Sequence, residues 1–119
     1  MFSYLITEAP TAADQIVGRL PPSSLVVNAT GMGKDRPGSP VTEEVRFPEQ
    51  GLVWEFNYRG SREFLQYAGR QQEERSLRIE DGWRYFVHGW SQVIADVFET
   101  PMPPETVDEL GRIAARLRS

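Results

Sequence analysis

The chain has 119 residues, a formal net charge of −4 and 39% hydrophobic residues, which bounds it to one globular domain with a modest core. An acidic balance argues against a nucleic-acid surface, which needs a basic patch. Cysteine is absent and histidine occurs once, so disulfide scaffolds and thiolate metal sites are excluded and a metal cluster has little support.

The opening MFSYLIT lacks a basic n-region and a long apolar core, so it does not read as a signal peptide. No apolar run approaches the roughly 20 residues of a membrane span. The expectation is a cytoplasmic protein without a membrane partner. Residues 2–7 are apolar and aromatic, and predict a strand. Thr11-Ala12-Ala13-Asp14 has the form of a capping box, and Ala13, Ile16, Val17 and Leu20 follow at helical spacing until Pro21-Pro22 stops the helix. Leu25-Val26-Val27 is a β-branched run of the kind buried on both sheet faces. The first strand, helix and second strand make a β-α-β unit, for which a right-handed parallel crossover is expected.

The stretch LVVNATGMGKDRPGSP at 25–40 organises the rest. A strand runs into Asn28-Ala29-Thr30, then into Gly31, Gly33, Pro37, Gly38 and Pro40, which continue neither helix nor ladder. Either this is a tight surface loop, or the small residues let a flat or phosphorylated ligand approach the backbone. The connection at 29–50 is far longer than usual, and such loops are functional or disordered. A short helical turn is expected within 41–47.

A strand is predicted at 52–57 (LVWEFN), a helix from a Ser61 cap to about Glu74 with Phe64, Leu65 and Ala68 buried, and a brief strand at 77–79 closed by Asp81-Gly82. A long helix at about 83–99 carries Trp83, Phe86, Val87, Trp90, Ile94 and Val97 as an apolar stripe to be buried, with Asp81, Tyr85, His88 and Gln92 as a polar line beside it. Prolines 101, 103 and 104 precede a last helix at about 105–117, which docks through Val107, Leu110, Ala114 and Leu117. Its acidic start and basic end suit the helix dipole.

Alternating strands and helices predict an α/β fold: a partial Rossmann-like, three-layer domain with a short, mostly parallel sheet of about four strands flanked by helices. Three strand ends open on one rim with Asn28-Ala29-Thr30, Asn57-Tyr58 and Asp81-Gly82, and Tyr85 and His88 converge there to make a candidate pocket. Asp81 reads equally as a helix cap, and His88 as a hydrogen-bonded structural residue. Gly31-Met32-Gly33-Lys34 is similar to the end of a phosphate loop, but the first glycine is missing and Asp35 replaces the hydroxyl residue.

Three pieces, LVVNATGMGKDRPGSP at 25–40, LVWEFNYRG at 52–60 and EDGWRYFVHGWSQVIADVF at 80–98, resemble the C-terminal nucleotide-binding portion of the shikimate/quinate dehydrogenases, in that family's order and approximate spacing. The resemblance implies that Asn28, Ala29 and Thr30 border an NADP or NAD cofactor. Phe56 stands near the nicotinamide, Tyr85 packs on it, and Gly82 offers its carbonyl to the carboxamide. Tyr58 touches a polyhydroxy acid substrate, and His88 stands at the place of the family's substrate-contacting glutamine. The family's catalytic lysine–aspartate pair and its glycine-rich first β-α-β have no counterpart here. The implied function is therefore an oxidoreductase fragment or subunit, inactive alone, whose cofactor binding is weak or needs a partner. The partner is either a second copy or a chain supplying the missing half. The alternative is a non-catalytic, self-associating assembly module.

Overall fold

A computed structural model describes residues 2–118. The elements run α1 (Pro10–Val17), β1 (Leu25–Asn28), β2 (Leu52–Glu55), α2 (Glu63–Gln71), β3 (Arg78–Glu80), α3 (Trp83–Phe98) and α4 (Pro104–Ala115). The three strands form one open parallel sheet in the order β1-β2-β3. Val26 stands opposite Val53, which stands opposite Ile79; Asn28 stands opposite Glu55. This is the expected α/β architecture, with three strands rather than four. Residues 2–7 form no strand: Phe2, Tyr4, Leu5 and Ile6 are 70–104% exposed. Strand propensity without a neighbouring edge does not make a strand.

One sheet face is packed. Val26, Val53 and Leu77 join Val17 of α1 and Phe64 and Ala68 of α2 in the core, with Phe47 set edge-on to Phe64. Val41, Val45 and Phe47 complete that core, so the long 29–50 connection is a structural layer rather than a mobile loop. It holds a turn, closed by Val45 N–H to the Thr42 carbonyl, and no helix. Gln71 fastens it from α2: its Oε1 accepts from Phe47 N–H at 3.0 Å and its Nε2 donates to the Val45 carbonyl at 2.6 Å.

The opposite face is partly covered: Tyr85 of α3 packs on Trp54 of β2, but β1 has no such cover. Leu25 and Val27 point away from the core and are 53% and 38% exposed, so β1 is buried on one face only, because no helix layer covers the other. The α3 stripe is also uncovered. Phe86 and Val87 are half-buried, but Trp90, Ile94 and Val97 are exposed, as are Leu110 and Leu117 of the C-terminal segment. α4 packs against α3 through buried Val107, and supplies less cover than the stripe predicts.

The starts of α1 and α2 differ from expectation. α1 begins at Pro10 with Ala9 as the flanking residue. Asp14 is instead drawn into a tertiary contact, accepting from Thr42 N–H at 2.8 Å and from the Thr42 hydroxyl. α2 starts after Arg62, not Ser61, and Arg62 holds a left-handed backbone at φ 51°. Its N–H bonds the Gly33 carbonyl at 3.1 Å, so packing against the Gly33 loop decides this boundary. No helix is long and apolar enough to cross a membrane among the described residues.

Candidate site at the carboxyl ends of the strands

Because the strands are parallel and in register, their carboxyl ends share one rim. Asn28, Glu55 and Asn57 form a buried polar network just beneath it. Asn28 Nδ2 donates to Glu55 Oε2 at 2.8 Å. Glu55 Oε1 accepts from Asn57 N–H at 2.9 Å and from Asn57 Nδ2 at 2.7 Å. Asn28 Oδ1 takes Thr30 N–H at 3.1 Å and the Thr30 hydroxyl at 2.7 Å. Asn57 Nδ2 also reaches the Met32 carbonyl at 3.0 Å. The Asn-Ala-Thr sequence is thus spent on shaping its own loop. Asn28 is turned inward, while Ala29 and Thr30 are exposed beside it.

No sequence motif marks Glu55, although inward parity from Val53 carries through it to Asn57. It is fully buried. Burial pushes its carboxyl above the ordinary range, opposed by the hydrogen bonds from Asn57 and Asn28 and by the charge of Arg62.

Above the network lies an aromatic cavity of about 290 Å³, lined by Phe56, Tyr58, Gly82, Tyr85, Phe86, Gly89, Trp90 and Val93. Phe56 and Tyr85 stack at 5.4 Å with 6° between ring planes, and Tyr58 stacks on Phe86 at 4.2 Å. Lys34 Nζ sits 4.8 Å from the Tyr58 ring centroid, which attracts its charge and ties the Gly33 loop to the rim. Glycine is required at 60, where φ is 88° and an added Cβ would lie 2.2 Å from the Gly33 carbonyl oxygen.

Asp81 fixes the start of α3. The cap position of α3 is Gly82, with no side-chain cap, so Asp81 is not the helix cap expected of it; from one position upstream its Oδ1 accepts from Trp83 N–H at 3.0 Å. Its Oδ2 also takes Arg62 Nη1 at 3.0 Å and Arg118 Nη2. Arg118 donates to the Tyr58 carbonyl at 3.1 Å as well, and its guanidinium lies 4.9 Å from the Trp83 ring centroid. Asp81→Ala removes the bond to Trp83 N–H and two partly buried ion pairs, and is expected to lower unfolding free energy by about 2 kcal/mol. Asp81→Asn keeps the oxygen that accepts from Trp83 N–H and is expected to lose about half as much. Urea denaturation monitored by tryptophan fluorescence measures both.

Of the residues expected at the pocket, Phe56, Tyr58, Gly82 and Tyr85 meet in one cavity. His88 does not. It lines separate clefts between α3 and α4 with Val107, because the residues of α3 that face the rim cavity are those at 85, 86, 89, 90 and 93. The Gly82 carbonyl already accepts Phe86 N–H at 2.9 Å, the first bond of α3, and keeps one lone pair for a ligand. The arrangement suits a planar ring: aromatic walls and one backbone acceptor. Among the described residues no cluster of histidine and acidic side chains could hold a metal ion. Compared with known proteins, the chain matches no family model, no curated protein and no solved structure.

Proposed function

We propose that this chain supplies the nicotinamide- and substrate-facing side of an NAD(P) site, as a subunit or part of a shikimate/quinate-dehydrogenase-like oxidoreductase that is inactive alone. The observation that carries the reading is the convergence of Phe56, Tyr58, Gly82 and Tyr85 in one cavity past the ends of parallel strands, where open α/β sheets take their ligands. A nicotinamide ring entering there displaces water from aromatic faces, and its oxidised, cationic form gains from the ring quadrupoles. Lys34 lies against the Tyr58 ring and is paired with Asp35 at 3.7 Å, so it helps hold the Tyr58 wall in place. The chain has no glycine-rich turn to hold a pyrophosphate, so the ring end carries what binding there is.

Nicotinamide mononucleotide is the direct probe. Saturation-transfer NMR is expected to show saturable binding at about millimolar affinity, with transfer to the ring protons. Tyr85→Ala is expected to weaken it about tenfold, the value of one lost aromatic contact. No saturable signal, or unchanged affinity in Tyr85→Ala, removes this reading.

The second reading, a non-catalytic assembly module, is favoured by one observation: the uncovered β1 face and α3 stripe. Turnover of shikimate or quinate by the chain alone would eliminate it.

A further inference from the structure

The molecule exposes more surface than a finished domain of its size. Its accessible area is 8622 Å², against roughly 6,500 Å² expected for a folded monomer of this mass. Its radius of gyration is 16.5 Å, against about 13.5 Å for a compact chain of this length. The surplus, about 2,100 Å², exceeds the roughly 800 Å² that each partner buries in a stable complex of standard size.

Two unsatisfied features stand in the same chain. The segment at 2–7 leaves α1 with the side chains of Phe2, Tyr4, Leu5 and Ile6 in water. β1 is an outer strand of the sheet, with no strand beside its free edge among the described residues. The segment has the composition of a strand, and the edge lacks one. Alternation would place Phe2, Tyr4 and Ile6 in line with the exposed row of Leu25 and Val27, and Leu5 on the core side with Val26.

We infer that the chain forms a closed, two-fold dimer by strand exchange: the 2–7 segment of each copy adds to the free edge of β1 in the other. Among the described residues the segment pairs with no strand of its own chain, and each copy carries both donor and acceptor, so one symmetric exchange satisfies both and leaves no open end. The sheet grows from three strands to four in each subunit. The fourth strand is the one the sequence predicts at 2–7, now contributed by the partner. This inference stands independently of the ring-binding reading, and its test contains no nucleotide.

The chain has no cysteine, so introduced thiols report cleanly. Tyr4→Cys and Val27→Cys chains, carrying tags of different size, are mixed, equilibrated and treated with a short bis-maleimide. The expected product is a heterodimer joining the two tags, and the parent chain is expected to sediment as a dimer. Leu5→Asp, at an exposed tail position, is expected to raise the dimer dissociation constant at least about tenfold, while the far-UV circular dichroism of the monomer stays unchanged. A monomer at all concentrations, open-ended oligomers, a dimer indifferent to Leu5→Asp, or a Tyr4→Cys/Val27→Cys double variant linked only within single chains would each overturn the inference.

Discussion

Gly82→Ala is expected to lower unfolding free energy by about 3 kcal/mol or more and to abolish the rim cavity. The backbone at 82 is ordinary, with φ −81°, so the effect is not conformational strain. The added Cβ would lie 1.8 Å from the Phe56 carbonyl oxygen and 2.5 Å from its carbon. Those are backbone atoms just past β2 and cannot swing aside as a flexible side chain would. Either the strand end or the start of α3 must retreat, breaking the bond from Gly82 N–H to the Asn57 carbonyl at 3.2 Å and parting the Phe56–Tyr85 stack. Gly69→Ala is the matched control. It lies in α2 with nothing within 4 Å of an added Cβ, so helix propensity alone acts, and a gain of up to about 1 kcal/mol is expected. Urea midpoints at unchanged slope read both variants.

Glu55→Ala is expected to cost about 3 kcal/mol, since it leaves three donated hydrogen bonds from Asn28 and Asn57 without an acceptor in a buried site. Glu55→Gln separates charge from hydrogen bonding. It retains an acceptor for Asn57 but sets an amide donor against Asn28 Nδ2, a loss of about 1 kcal/mol. Its main signature is in pH dependence. Burial raises the Glu55 carboxyl pKa in the folded chain, so the folded state binds this proton more tightly than the unfolded state. The group's contribution to stability is therefore greatest in acid, below the ordinary carboxylate value of 4.5, and falls as pH rises from there through the raised folded value. Other carboxylates superimpose their own slopes, so the measurement is the difference between parent and Glu55→Gln. The parent is expected to lose stability relative to the variant as pH climbs through that window, and a difference that is flat or rises with pH contradicts the assignment.

The parallel sheet was legible because its three strands are short, apolar runs separated by helical periodicities, and strand–helix alternation leaves few other topologies. The rim followed from that parallelism. Helix boundaries were less legible, since Asp14 and Arg62 take tertiary partners that outcompete the local caps suggested by Thr11 and Ser61. The stripe of Trp90, Ile94 and Val97 illustrates a second limit: periodicity says that a helix has an apolar face, not what covers it. His88 was grouped with Tyr85 by its position on one helix, yet it opens onto the α4 side. Glu55 lies on the inward parity of β2, but parity does not reveal that two asparagines wait to accept its burial. Strand character at 2–7 was read from composition, while pairing is a non-local property that composition does not carry.

Arg118 ties the rim to a segment distant in sequence. It bridges Asp81 and the Tyr58 carbonyl, contacts that span 37 and 60 residues, so they close only once the intervening helices have docked. Folding intermediates that already hold the sheet lack this clasp, and replacing Arg118 would leave a mature molecule in that looser condition.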